Sequence, residues 1–223
     1  MTECLFCVQT RRLPAMQPKP VVFVVDDDVS VRESLELLIE CAGWRPETFA
    51  SAQEFLARPR VNGPGCAILD VRLPDLDGLE LQQRIANEPG GMPIIFITGC
   101  GDVPTTVRAM KAGAIEFLTK PYSEATLLAA LHDAIERSQA LLRSDQQRHA
   151  LNEAYGSLTK REREVMALVV SGLLNKQVAG ELSISEITVK AHRGSVMRKM
   201  NANSFADLVR MATELCITPV TKR

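Results

Sequence analysis

The sequence predicts two units in series: an α/β unit on a doubly wound, five-stranded parallel sheet, and an all-α unit of four helices, joined by a long linker helix. Three observations predict it. Short apolar runs alternate with segments of helical period from residue 21 to about residue 140. The charge is divided, since residues 20–137 carry 10 basic and 18 acidic side chains whereas residues 157–223 carry 11 basic and 6 acidic. Between the two, residues 123–153 contain neither proline nor glycine.

Taken in order, residues 1–19 have a short apolar stretch followed by Arg11 and Arg12, the reverse of a secretory signal, and read as a flexible tail with Met16 as an alternative start. Strand-like runs follow at 21–25, about 45–49, 66–69, 94–97 and 115–118. Capping boxes at Ser30 to Glu33 and Ser51 to Glu54 predict two helix starts. Gly43 and Gly113 stand where left-handed helix ends are expected. Strands that each lead into a helix require a parallel sheet covered on both faces. In such a sheet the ligand crevice lies outside the carboxyl ends of the strands. Apolar residues at Leu127, Leu128, Leu131, Ala134 and Ile135 predict a helix packed on the sheet, and its polar continuation, SDQQRHALNEAY, predicts a linker ended by Gly156. From Ser157 onward the pattern is helical, broken at Gly172, at 183–185 and near Asn201. The expected units are therefore 20–137, a linker at 138–156, and 157–223.

A chain of 223 residues with 46% hydrophobic side chains is ample for packed cores. No apolar run approaches the ~18 residues of a membrane span, so no membrane partner is expected. Of six cysteines only Cys4 and Cys7 are spaced CxxC, with no second pair to complete a zinc site, and reduced thiols in a cytoplasmic protein are expected.

Residues 21–30 read VVFVVDDDVS, which sets Asp26, Asp27 and Asp28 at the mouth of a buried strand. Neighbouring carboxylates raise one another's pKa and cost stability unless a cation offsets them. The expected topology brings Asp26 and Asp27, Asp70, Thr98 and Lys120 to one crevice. Oxygen ligands with room for water suit Mg²⁺ or Mn²⁺. With such an ion bound, Asp70 can act as nucleophile toward a phosphoryl group, while Lys120 and the Thr98 hydroxyl meet its oxygens. Singly, each residue has a plainer reading: Asp28 as a helix N-terminal charge, Thr98 as a strand cap, Phe117 as a core aromatic, Lys120 as a solvated charge. Their joint spacing favours the site.

In the basic half, Thr159 to Glu162 forms a capping box and Gly172 turns the chain. A short helix at 175–182 is joined by a tight turn to a helix bearing Lys190, Arg193, Arg198 and Lys199. Val189, Val196, Met197 and Met200 mark the core stripe. Two helices so joined, the second basic, suit insertion into the major groove of double-stranded DNA. A helical bundle with a solvated basic face is the alternative.

The blocks VVDDD, LDVRLPDLDG, FITGCGD and AMKAGAIEFLTKPY resemble the receiver domain of bacterial two-component response regulators, and the last is similar to the FixJ subfamily. The separations of 44, 28 and 22 residues between Asp26, Asp70, Thr98 and Lys120 are those of that family. The resemblance implies a flavodoxin-like receiver with Asp70 as phosphoacceptor and Mg²⁺ (or Mn²⁺) held by Asp26, Asp27, Asp70 and the backbone carbonyl of Arg72. It also implies a switch pair, Thr98 and Phe117, and a cis Lys120–Pro121 bond. The segment from Ser157 to Ala212 resembles the LuxR-type helix-turn-helix. That implies Lys190, Ala191 and Arg193 at base edges or nearby backbone, and Lys176, Ser185, Thr188 and Lys199 nearer phosphates, with His192 packing or meeting a phosphate. Gly194 departs from relatives with a long polar residue there, and residues 204–215 resemble the family's dimer surface.

The resemblances together imply a non-enzymatic transcription regulator, phosphorylated by a sensor histidine kinase, dimerising on phosphorylation and binding promoter DNA. A rival from another class is a magnesium-dependent phosphatase of the haloacid dehalogenase type, in which Asp26 would be the nucleophile. It leaves Asp70, the LPDLDG loop and the basic half without a role.

Overall fold

The structure, a computed structural model, describes residues 19–59, 63–86, 91–99 and 101–217. Residues 1–18 of the expected tail and the cysteines at 4, 7 and 100 lie outside the described residues.

Five strands, β1 (Val21–Val25), β2 (Arg45–Phe49), β3 (Gly65–Asp70), β4 (Ile94–Thr98) and β5 (Glu116–Thr119), form one parallel sheet in the order β2-β1-β3-β4-β5. Strands β1 and β4 are buried throughout, and β3 in all but its last residue. This explains why they read as unbroken apolar runs rather than alternating ones. Alternate side chains serve opposite layers. Phe23, Leu69 and Phe96 pack with Phe55 of α2 (Ala52–Ala57), Leu81 of α3 (Gly78–Ala86) and Ala109 of α4 (Val103–Lys111). Val24, Ile68 and Ile97 pack with Ile39 of α1 (Val29–Cys41) and with Leu127 and Leu131 of α5 (Glu124–Gly156). The edge strand β2, RPETF, has no fully buried residue, in keeping with a sequence that is not an unbroken apolar run.

The local signals need two corrections. Helix α1 is capped by Asp28, whose carboxylate accepts from the Ser30 amide at 2.9 Å, so Ser30 lies inside the helix and is not its cap. Asp28 thus serves the helix end, in keeping with its plainer reading. Ser51 does cap α2, but Glu54 reaches back to the amide of Ala50, one residue beyond the box. Gly43 and Gly113 have φ of 88° and 92°, the left-handed helix ends expected. Cys41, Cys66 and Cys216 are free, and burial pushes the Cys66 thiol up to about 12.

The chain divides into two compact units after Leu142. Helix α5 runs across that division, and residues 143–150 of it are almost wholly exposed. Its early turns belong to the sheet: the Ser138 hydroxyl, buried, accepts from the Gly65 amide at 3.0 Å.

The second unit comprises the end of α5, α6 (Lys160–Val170), α7 (Asn175–Leu182), α8 (Glu186–Lys199) and α9 (Phe205–Glu214). Val165 and Val169 meet Val178 and Val189 in one apolar cluster, while Met166 meets Val196, Met200 and Leu208 in another. The Thr159 capping box is complete. Its acidic member does more than cap, because Glu162 Oε2 accepts from both the Thr159 amide and Lys199 Nζ at 2.7 Å. The Lys199 hydrogen bond, then that from Thr159, holds the Glu162 carboxyl at about 2 against an ordinary 4.5. Because the folded value is the lower one, the stabilisation is present above pH 4.5 and is lost as pH falls from 4.5 toward 2.

With only 7% of its side chain exposed, Glu162 can contribute up to ~3 kcal/mol at neutral pH. Glu162→Gln is expected to lower the stability of this unit by ~1 to 3 kcal/mol at pH 7. The deficit should begin to shrink below pH 4.5 and approach zero only near pH 2 in urea titrations followed by circular dichroism. A deficit independent of pH would contradict the ion-pair account.

Candidate functional site

The strand order reverses between β1 and β3, and the carboxyl ends of these strands and of β4 and β5 carry the candidate residues. Asp26 is 2% exposed, and every oxygen it has is engaged. Oδ1 accepts from the Asp28 amide at 2.9 Å, Oδ2 from Lys120 Nζ at 2.9 Å, and the carbonyl oxygen from Arg32 Nη1 at 2.7 Å. Lys120 Nζ also lies 3.6 Å from Asp70 Oδ2, and Asp70 Oδ1 accepts from the Arg72 amide at 3.1 Å. One carboxylate oxygen each from Asp26, Asp27 and Asp70 lie within 4.8 Å of one another. The Lys120–Pro121 peptide is cis, and the Lys120 amide donates to the Thr98 carbonyl at 2.8 Å. That bond pins the end of β5 to the end of β4.

Burial raises the Asp70 pKa, with the Asp26 charge adding to it and the Arg72 amide and Lys120 opposing. Burial works downward on Lys120, but its hydrogen bond to Asp26 and the charges of Asp26 and Asp70 outweigh this and move it upward. The ammonium is therefore held charged between two carboxylates. Three carboxylates contributing only oxygens form a hard donor set that fits Mg²⁺ or Mn²⁺. The single ammonium leaves acidic charge over for such an ion to offset.

Thr98 is 1% exposed, and Phe117, half-buried, tilts against Phe96 with ring centroids 5.9 Å apart. Beside them Gly101 is closely approached by side chains: a Cβ there would stand 2.7 Å from Thr119 Cγ2 and 3.1 Å from Phe117 Cε1, so those side chains would have to shift to admit it.

The loop after β3 contains three residues that sequence reasoning gave no role. Asp75 accepts from the amides of Ala52 and Gln53 at 3.2 and 2.7 Å, tying the loop to the start of α2. Asp77 accepts from the Leu79 amide at 2.8 Å at the entry to α3. Gly78 donates to the Val71 carbonyl at 2.9 Å, and a Cβ on it would overlap the carbonyl oxygen of Asp70. Asp-Gly at the end of LPDLDG was the available signal, a turn chemistry with a mechanism of its own.

In the second unit, Ser185 caps α8 by accepting from the Thr188 amide at 3.1 Å. Lys176, Lys190, Ala191, Gly194 and Arg198 are exposed, while Val189 and Val196 are buried. Two of the basic candidates are engaged within the fold. Arg193 Nη1 donates to Asn175 Oδ1 at 2.7 Å and its guanidinium sits 5.6 Å over the Phe205 ring. Lys199 is paired with Glu162. His192 and Met197 are half-buried.

A doubly wound sheet with an acidic cleft and a lysine, followed by a helical unit with an exposed basic helix, defines the class of signalling proteins that couple a receiver to a DNA-binding module. Residues 22–132 match the response regulator receiver domain, and residues 156–212 match bacterial regulatory proteins of the luxR family. The chain is 48% identical over 200 residues to Nodulation protein W of Bradyrhizobium diazoefficiens, covering 90% of this chain and 88% of the relative. It is 41% identical over 198 residues to the transcriptional regulatory protein FixJ of the same organism, covering 88% of this chain and 96% of the relative. The solved structure of response regulator StyR superposes with a TM-score of 0.80 at 47% identity, covering 88% of this chain and 99% of that one.

The chain belongs to the response regulators of two-component systems, in the group that joins a receiver to a luxR-family DNA-binding domain. It is a phosphorylation-activated regulator of transcription and not a phosphatase. The geometry agrees on the second point, because the rival's nucleophile, Asp26, is buried and fully hydrogen-bonded. A receiver implies a histidine kinase as partner, and the luxR-family domain implies DNA. No helix among the described residues is long and apolar enough to cross a membrane.

Gly78→Ala is expected to destabilise the first unit by ~1 to 3 kcal/mol, the usual cost of an overpacked site. Trp44, the single tryptophan, lies in that unit and reports its unfolding in urea. An unchanged midpoint would show that the loop can yield.

Proposed function

We propose that Asp70 is the residue phosphorylated, with Asp26, Asp27, Asp70 and the Arg72 carbonyl as the ligands of Mg²⁺ or Mn²⁺. The observation that carries this is the position of Lys120 Nζ, 2.9 Å from Asp26 and 3.6 Å from Asp70. Asp70 is the less buried of the two carboxylates, with 13% of its side chain exposed against 3% for Asp26. A carboxylate oxygen of Asp70 attacks phosphorus, the bond from phosphorus to the donor histidine nitrogen breaks, and the imidazole leaves with that electron pair. A bound dication would neutralise charge on the transferring oxygens. Lys120 serves the same end, and Thr98 follows the new phosphoryl group while Phe117 turns inward. This displacement favours a homodimer, a bias between two states of the receiver rather than new chemistry at the DNA.

At the DNA, Lys190 and Ala191 meet base edges, and Lys176, Ser185 and Thr188 meet the backbone. Arg193 and Lys199 keep unspent N–H donors beyond their intradomain partners, which leaves Arg193, midway along α8, able to meet base edges or nearby backbone and Lys199, at its end, able to meet a phosphate.

Acetyl phosphate with Mg²⁺ should add one acid-labile phosphate, measured by mass spectrometry of the intact protein. It should be lost in Asp70→Asn and kept in Asp28→Asn; retention in Asp70→Asn would refute the assignment. For DNA, Lys190→Ala should reduce the preference for specific over random duplexes by ~1 to 3 kcal/mol. Lys176→Ala should weaken both alike and flatten the salt dependence. Equal losses on both duplexes for both variants would count against the division of roles.

A further inference from the structure

We infer that Ile187 is a specificity-determining residue that reads a thymine through its C5-methyl group. Ile187 is 80% exposed, the highest value among the large apolar side chains described as exposed. A single apolar residue on a surface is ordinary; what sets this one apart is where the helix puts it. At about 100° per residue, Val196, nine positions on, falls ~180° from Ile187. Val196 is 1% exposed and Val189 is fully buried, so Ile187 marks the centre of the face that points away from the core.

The same rotation places Gly194 and Arg198 within ~20° of Ile187, Ala191 at ~40° and Lys190 at ~60° on the other side. All of these are exposed. The outward face of α8 thus presents a branched hydrocarbon flanked by a methyl group, a bare backbone and two cations. Nothing within the fold accounts for the glycine. No atom lies within 4 Å of a Cβ built on Gly194, although glycine is the poorest helix former after proline. An open strip at Gly194 and Ala191 lets a surface come close to the helix axis, and close approach is what brings Ile187 into contact.

The major groove offers one apolar group on its base edges, the C5-methyl of thymine, while guanine offers two acceptors to a lysine. A face of cations around a hydrocarbon matches a groove of phosphates around a methyl. It does not match an acidic protein surface, which has no partner for a naked isoleucine. Ile187 adds a base-reading position to Lys190 and Ala191, three residues nearer the start of α8.

This deepens the reading of α8 as the recognition helix and rests on it. The test begins with selection of duplexes from a random library by the full-length protein, phosphorylated with acetyl phosphate and Mg²⁺. Each thymine of the selected duplex is then replaced by deoxyuridine, which removes only the methyl group. At one thymine per half-site the replacement should weaken wild-type binding by about 4-fold, the effect of one buried methyl-sized group. Ile187→Ala should bind the parent duplex about 4-fold or more weakly and show less than 2-fold sensitivity at that position, while Ile187→Val keeps part of it. Because the side chain is exposed, thermal unfolding should be unchanged. Selection that succeeds without any methyl-sensitive thymine, or sensitivity that survives Ile187→Ala, overturns the inference and leaves the recognition helix standing. Unaltered DNA affinity in Ile187→Ala also overturns it. Failure to enrich any sequence overturns the recognition-helix reading itself.

Discussion

Carboxylates cannot be gathered in one cleft without a counter-charge, and the first unit is arranged around supplying one. Lys120 reaches the cleft because β5 ends there and because the bond from its amide to the Thr98 carbonyl fixes the end of β5 against β4. Its ammonium bridges Asp26 and Asp70, residues 94 and 50 positions away in sequence. The pKa directions describe one balance from both sides. Burial moves Asp70 up, toward its neutral form, and the two carboxylates move Lys120 up, toward its charged form. One positive charge for three negative ones leaves the cleft acidic, and a dication with oxygen ligands is the simplest complement.

The scaffold explains why such charges stay in register. Strands buried on both faces tolerate no slip, because a one-residue shift would reverse every side chain between the two apolar layers. The residues at the strand ends are therefore positioned by Phe23, Leu69 and Phe96 on one side and by Val24, Ile68 and Ile97 on the other. The loop after β3 is fixed differently, by polar contacts. Asp75 fastens it to α2, Asp77 starts α3, and Gly78 lies against the backbone of Asp70 itself.

How much of this was legible follows from which interactions leave a periodic trace. The buried strands did, as did the long helix and the Thr159 box, since each is a local pattern of residue types. The start of α1 was misassigned because Asp28 and Ser30 are both good caps and only the backbone decides between them. The roles of Asp75 and Gly78 could not be read from spacing, because each depends on a contact between segments that fold together, 22 residues apart for Asp75 and α2. The same holds for Lys199, whose partner Glu162 is 37 residues away. A charge on a helix shows no sign in the sequence of whether it faces solvent or another helix.

That distinction organises the second unit. Helix α8 carries four cations, and the fold separates them. Arg193 is tied to Asn175 and stacked over Phe205, and Lys199 closes on Glu162, so these two fasten α8 to α7, α9 and α6. Lys190 and Arg198 have no partner among the described residues and lie on the exposed face. A helix with only Val189 and Val196 fully buried has little apolar anchorage, and charged contacts with its neighbours supply the rest. Holding α8 by its flanks rather than by a broad apolar stripe leaves most of its circumference outside the core. A helix seated deeply in a bundle has no such face to lend, whereas one held in this way can enter a groove about 12 Å wide while its own domain stays packed.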